Sequence, residues 1–169
     1  MPSRRRDERS RSRGLIPSSD RRDRKAARPS KRVPGGAIEE PLRARCDDPP
    51  PEALRRGIEQ FNAGEFFEQH ETIETLWRET RAPVRDLYHG ILQIGVGFHH
   101  WRNGNFHGAT TLLGEGIARL VPFAPTCQGV EVAALIADAR AAWEELLRLG
   151  PERMAEFDLA RAPRVTLTV

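Results

Sequence analysis

Apolar residues recur at helical spacing in five stretches of the chain. An apolar side chain at every third or fourth position lines one face of an α-helix. Proline or glycine stands near most ends of these stretches, as is usual at helix boundaries. The predicted helices cover residues 51–63, 64–81, 84–103, 106–121 and 130–149. The sequence therefore predicts an all-α fold, a compact array of about five helices.

The third predicted helix is apolar over most of its circumference, which is typical of a central position in a bundle. Its two apolar stripes leave a narrow polar stripe of His89, Gln93 and His100, with Gly90 and Gly97 beside it. A glycine inside a helix costs about 1 kcal/mol relative to alanine. We therefore expect another helix, or a ligand, to approach closely at the two glycines.

The second predicted helix places polar side chains among its apolar ones. At about 100° per residue, Phe66, Ile73 and Trp77 form its apolar stripe, and His70 and Glu74 fall within the same sector. Burial of a polar group without a partner costs about 1–3 kcal/mol. A helix with a free solvent face has no packing reason to accept this cost. We therefore expect His70 and Glu74 to belong to a site.

Two other polar residues of this helix are predicted outside that sector or at its border. Glu71 lies at the edge of the apolar sector, and Gln69 is placed nearer the polar side. Beyond this helix, the turn Asn103-Gly104-Asn105 ends the third helix and supplies an N-cap, Asn105, for the fourth. Gly108 falls in the first turn of the fourth helix, where we expect it to open access to the helix N-terminus.

Charge divides the chain near residue 45. Residues 1–45 hold 15 Lys and Arg against 6 Asp and Glu, whereas the remainder holds 12 against 18, so the net charges are +9 and −6. The first segment is nearly free of large apolar residues, which predicts a disordered basic tail. Its function stays open between a solvated tail and an arm that contacts nucleic acid weakly. The predicted all-helical domain covers 46–163, and an extended C-terminal segment without an evident strand partner covers 164–169.

The cysteine count and the hydropathy of the chain suggest its compartment. Cys46 and Cys127 are the only cysteines and form no CxxC pair. We therefore expect neither a disulfide framework nor a cysteine zinc site. No apolar run approaches the roughly 18 residues of a membrane span, and no apolar region follows the basic N-terminus as in a secretory signal. These observations predict a soluble, cytoplasmic protein without a membrane partner.

Two stretches of the chain resemble a known family. They read FNAGEFFEQHETIETLW and LYHGILQIGVGFHHWRNGNFHGATTLL, and they resemble the prokaryotic family catalogued as domain of unknown function 309. The His-x3-Glu-x2-Trp motif of that family is matched by His70, Glu74 and Trp77. Further matches are Phe61-Asn62, Gly64, Glu71, Gln93, His100, Gly104-Asn105 and Gly108-Ala109. The resemblance covers about residues 50–150 and implies a compact all-α domain with no established activity. His89 and His99 fall outside the family pattern.

The candidate site combines these residues. We predict that His70, Glu74 and His100 lie within hydrogen-bonding or metal-bridging distance of one another, with Gln93 adjacent. The predicted lining of a small ligand pocket is Glu71, Trp77, Gln93, Asn105 and Gly108.

Four functions remain open for this site. The interpretation that we favour is a structural network in which the polar groups satisfy one another and fix the helix register. The second is an acid–base enzyme of the hydrolase type, with His70, Glu74 and His100 as catalytic residues. The third is a divalent metal site, Zn or Fe, with the same three residues as ligands. The fourth is a module that binds a partner or a ligand. The sequence names no substrate and no oligomeric state.

Overall fold

Five α-helices make up most of the computed structural model, which describes residues 40–168. The predicted all-α fold is therefore confirmed, while residues 1–39 of the predicted basic tail lie outside the described residues. The helices are α1 (Glu52–Asn62), α2 (Phe66–Glu79), α3 (Arg85–Arg102), α4 (Phe106–Leu120) and α5 (Val132–Arg153). Short 3₁₀ turns cover Val121–Phe123, Met154–Glu156 and Leu159–Arg161.

Glycines end three of the helices in a conformation that side chains avoid. Gly64 follows α1 with φ 76°, and Gly104 follows α3 with φ 73°. Both lie in the left-handed region, where the absence of a Cβ removes the steric penalty. Gly150, with φ 74° and ψ 178°, interrupts α5 before Pro151. The regular part of α5 therefore stops close to its predicted end at residue 149, although one more turn follows.

The central position predicted for α3 is confirmed by its packing against both α2 and α4. Most of its apolar side chains are buried, and the expected close approach of a helix occurs at two of its glycines. A Cβ added to Gly90 would lie 2.7 Å from the side chain of Leu120, and one added to Gly97 would lie 2.9 Å from that of Leu113. Both contacts are made with α4. The missing side chains thus permit the short distance between α3 and α4.

A disulfide joins Cys46 to Cys127, across a sequence separation of 81 residues. The expectation that these cysteines form no disulfide is therefore wrong. The chain before α1 folds back onto the loop between α4 and α5, where Gln128 donates its backbone N–H to the carbonyl of Cys46 at 2.6 Å. The cysteines meet through this tertiary contact, and their spacing in the sequence carries no sign of it.

The C-terminal segment is extended and has a partner, contrary to the reading of the sequence. Leu167 forms an antiparallel bridge with Val130, and Thr168 donates its N–H to the carbonyl of Gly129 at 2.7 Å. Both ends of the described chain therefore contact the loop between α4 and α5. Within residues 40–168, none of the helices has the length and apolar character that crossing a membrane requires.

Candidate functional site

The buried stripe of α2 differs from the predicted one. Phe66, Gln69 and Ile73 are buried, so the polar side chain in the core is Gln69. The side chains of His70 and Glu74 are 40% and 28% exposed, and they lie in contact, with 3.4 Å between His70 Nε2 and Glu74 Oε2. This pair therefore lies at the edge of the core, where water reaches it.

Glu74 has a second partner on the same helix. Its Oε1 lies 2.6 Å from Nη2 of Arg78, one turn further along α2. Glu74 thus stands between an imidazole and a guanidinium, each at a spacing that neighbouring side chains on a helix surface have. Glu71, one of the predicted pocket residues, is exposed.

Trp77 packs against His89 of α3. The rings of Trp77 and His89 have centroids 4.4 Å apart and planes inclined by 31°. The guanidinium of Arg85 lies 4.8 Å from the Trp77 ring centroid, a distance at which a cation–π attraction is effective. Burial lowers the pKa of His89, and the nearby charge of Arg119 lowers it further. Trp77 and His89 thus connect α2 to α3.

Gln93 connects α3 to α4 with both ends of its amide. Its Nε2 donates to Oε2 of Glu115 at 3.1 Å, and its Oε1 accepts from Nε of Arg119 at 3.0 Å. Arg119 also lies 3.5 Å from Asp86 on α3. Neither Glu115 nor Arg119 is among the residues that the sequence predicts for the site. Their i, i+4 spacing on α4 marks them as neighbours on one helix face, but nothing in it indicates that this face meets Gln93.

His100, Asn105 and Gly108 form a second, separate unit. Asn105 accepts from the backbone N–H of Gly108 at 2.9 Å, and its Nδ2 lies 3.2 Å from Nδ1 of His100. Since the amide oxygen of Asn105 accepts from Gly108, the amide nitrogen of Asn105 is the donor in the contact with His100, and Nδ1 of His100 accepts. A Cβ on Gly108 would lie 3.0 Å from Cγ of His100. The space through which we expected Gly108 to open access to the helix N-terminus is therefore filled by Asn105 and His100.

The structure does not bring His70, Glu74 and His100 together. Within residues 40–168, no group of three or more His, Cys, Asp or Glu side chains is placed to hold a metal ion. The reason lies in the register of α2 and α3. Phe67 contacts His99, with ring centroids 5.9 Å apart, and Gln69 contacts Gly95, so His70 lies nearer the N-terminal end of α3 than His100 does. The predicted cluster is thus divided into one pair on α2 and one unit at the α3–α4 turn.

Between α2 and α4, a strip of α3 is incompletely covered. His89, Val96 and His100 are partly exposed at helical spacing, whereas residues 90–95, 97 and 98 are buried. We call this surface the α3 groove. It is formed by His70, Glu74 and Trp77 of α2, by His89, Gln93 and Val96 of α3, and by Glu115 and Arg119 of α4.

The comparison with family models agrees with the resemblance seen in the sequence. Residues 54–112 match the model of the family described as Domain of unknown function (DUF309). The resemblance seen in the sequence is therefore confirmed over this segment. The segment includes every predicted site residue and ends within α4, before Glu115 and Arg119. No curated protein and no solved structure gives a significant match. The description of this family assigns no function.

Proposed function

We propose that this domain is a binding module whose α3 groove holds a segment of a partner protein. The observation that supports it is the partial exposure of the motif side chains. His70 and Glu74 keep 40% and 28% of their side-chain surface exposed, and Val96 between the two walls is also partly exposed. Residues that serve only to hold a core are normally buried. Polar side chains that are accessible can form hydrogen bonds with a partner, as they do at the polar rim of an interface.

The shape of the groove favours an extended partner over a small molecule. The strip from His89 to His100 is about 16 Å long, at about 1.5 Å of helix rise per residue. Small-molecule sites are concave and enclose most of their ligand. Cavities of about 320 Å³ and 430 Å³ lie elsewhere, one beside the C-terminal segment and one beside Tyr88. A long, open strip presents contact area to a peptide or a helix.

The side chains of the groove are of the kinds that contribute most to protein interfaces. Tryptophan and arginine are enriched among the residues whose truncation weakens binding most. Here Trp77 is supported by His89, and Arg119 is held by Gln93 and Asp86. Side chains that are already fixed lose less conformational entropy when a partner binds. The structural network that the sequence suggested would thus also prepare the surface for binding.

An acid–base function is the second candidate, and one observation favours it. His70 Nε2 lies 3.4 Å from Glu74 Oε2 in a position that water and a small substrate can reach. A histidine held by a carboxylate is a common general base. Glu74 also pairs with Arg78 on the same helix. We rank this candidate second because His100, the third predicted catalytic residue, is occupied by Asn105.

Photo-crosslinking in the producing cells tests the proposal. We would replace Val96 by the photoreactive residue p-benzoylphenylalanine and irradiate. The expected result is one discrete adduct of higher mass, whose partner is identified by mass spectrometry. The matched control carries the same residue at Leu147, which is 47% exposed on α5 and distant in sequence from the groove. Thermal melting of both variants would establish that they are folded.

The adduct pattern decides the outcome. A discrete adduct from Val96 that the control at Leu147 lacks supports the proposal, and an adduct of twice the chain mass identifies the partner as a second copy. The same adducts from both positions, or none from Val96, would overturn it. The acid–base candidate would then become the better explanation of the exposed His70–Glu74 pair.

A further inference from the structure

Three sets of contacts hold the segment before α1 against the loop between α4 and α5. The first is the Cys46–Cys127 disulfide. The second is a pair of hydrogen bonds from Gln128, whose N–H donates to the carbonyl of Cys46 and whose Nε2 donates to that of Arg45 at 3.3 Å. The third is Arg43, whose guanidinium donates to three carbonyl oxygens of the loop. They belong to Pro122, Ala124 and Thr126, at 3.1, 2.9 and 3.0 Å.

The disulfide is the only covalent bond in this arrangement, and chemistry can open and close it. We propose that Cys46 and Cys127 form a reversible thiol–disulfide site, and that its oxidation state decides whether residues 40–48 stay fastened to the loop. Both cysteines lie outside the segment that matches DUF309. The site is therefore independent of the α3 groove and of the function proposed for it.

The exposure of the two cysteine residues indicates how a small thiol would react. Cys46 is 8% exposed and Cys127 is 1% exposed, so attack at Cys46 is the accessible route. A glutathione thiolate forms a bond to Sγ of Cys46, the Cys46–Cys127 bond breaks, and Cys127 leaves as a thiolate that takes up a proton. A second glutathione thiolate attacks the mixed disulfide. It releases Cys46 as a thiolate, and the two glutathiones leave as glutathione disulfide. The reverse sequence closes the bond and reduces glutathione disulfide.

The segment contains two peptide bonds whose cleavage would report on this opening. Trypsin cleaves after arginine, and it would act at Arg43–Ala44 and at Arg45–Cys46. In the closed form the side chain of Arg43 is engaged by three carbonyls, and the carbonyl of Arg45 accepts from Gln128. A protease must bind the side chain and the carbonyl in an extended segment, so both bonds are protected until the segment leaves the loop.

Reduction of the disulfide should make detachment of residues 40–48 from the loop more frequent. The remaining contacts are the exposed hydrogen bonds of Arg43, the more buried ones of Gln128 and the packing of Leu42 against the core. Each of these hydrogen bonds contributes little net stability. The neighbouring cavity of about 430 Å³ has residues of both partners in its wall, namely Arg45 and Asp48 of the segment and Gln128 of the loop. Opening would therefore widen this cavity and uncover Tyr88, which is buried and donates to Gln128 at 2.7 Å in the closed form.

Limited trypsin digestion of the full chain, followed by intact-mass spectrometry, tests the proposal. One sample is equilibrated with glutathione disulfide and the other with glutathione in large excess. A thiol assay under denaturing conditions should find no free cysteine in the first sample and two in the second. We expect cleavage at Arg43–Ala44 and Arg45–Cys46 to be about tenfold faster in the reduced sample, since local opening controls such cleavage.

Matched variants separate the disulfide from other effects of the thiol reagent. The Cys46→Ser/Cys127→Ser protein should be cleaved at the reduced rate in both samples. The Tyr88→Phe protein keeps both cysteines and should still respond to glutathione. Equal cleavage rates in the oxidised and reduced wild-type samples would overturn the proposal, and so would two free thiols after equilibration with glutathione disulfide. If the double variant fails to fold, the wild-type comparison alone decides.

Discussion

At the scale of single residues, Gln69 is a buried polar side chain whose burial was not predicted. The spacing of Phe66, Gln69 and Ile73 is that of one helical stripe, but a glutamine between apolar residues is easily assigned to the polar side. The structure buries Gln69 completely, and its Nε2 donates to the carbonyl of Ile91 at 3.3 Å. Its side chain fits because Gly95 on α3 has none. The sequence could reveal the stripe, whereas the pairing with Gly95 depends on how α2 and α3 pack.

This pairing predicts the effect of Gly95→Ala. The added Cβ would overlap Oε1 of Gln69, and overpacking of this kind costs about 1–3 kcal/mol. The better helix propensity of alanine offsets about 1 kcal/mol of this cost. Urea denaturation should show a net loss of stability for Gly95→Ala, and a smaller loss for Gly95→Ala made in a Gln69→Ala background. Additive effects of the two substitutions would contradict the contact.

His89 predicts a pH dependence of stability. Its pKa is lowered in the folded protein by burial and by Arg119, with Arg85 acting in the same direction and Asp86 and Glu115 opposing them. Between the folded and the unfolded pKa, the unfolded chain therefore binds more protons, so stability rises with pH. It should fall as the pH is lowered through the ordinary histidine value of about 6.5. Below the folded pKa this contribution to the pH dependence ends.

The measurement compares urea denaturation at several pH values between wild type and His89→Gln. The variant should lose part of the decline seen between neutral and mildly acidic pH. The control is His107→Gln, which changes an exposed histidine and should retain that decline. An NMR titration in which the His89 ring protonates at or above the ordinary histidine pKa would contradict the prediction.

At the scale of helices, the sequence predicts where elements end better than which face they bury. Gly64, Gly104 and Asn105 were assigned to helix ends, and the structure places them there. These assignments depend on local conformation, which a few neighbouring residues determine. The face that α2 buries depends on α1 and α3 together. For that reason His70 and Glu74 were expected in the core and are found at its edge.

The turn between α3 and α4 predicts the effect of two substitutions at Asn105. Asn105→Ala removes the acceptor for the N–H of Gly108 and the donor to His100, and loss of an N-cap costs about 1 kcal/mol. Asn105→Asp keeps the acceptor but loses the donor. We expect urea denaturation to show a loss of stability for alanine and a clearly smaller one for aspartate. Equal losses would show that the contact with His100, and not the cap, is the stabilising one.

At the scale of the whole molecule, the parts that the sequence did not predict are contacts between distant segments. The disulfide joins residues separated by 81 positions, Arg43 reaches the loop that follows α4, and Thr168 pairs with Gly129. No periodic or local feature of the sequence indicates any of these contacts. The same holds for Glu115 and Arg119, which meet Gln93 only because α4 packs along α3. The family resemblance was informative about helices α1 to α4, and it was silent about these long-range contacts.

The disulfide gives the last prediction, which concerns the stability of the entire domain. A bond that closes a long loop restricts the unfolded chain, and a disulfide typically stabilises a fold by about 2–4 kcal/mol. The helical core does not depend on it for its packing, because α3 contacts α2 and α4 directly. Reduction should therefore lower the urea midpoint while the helical circular-dichroism spectrum before unfolding stays the same. The Cys46→Ser/Cys127→Ser variant should match the reduced protein and be insensitive to reductant.

If reduction leaves the midpoint unchanged, the segment before α1 adds no stability through this bond. If it abolishes the helical spectrum, the helices need the bond to fold, which their direct contacts argue against.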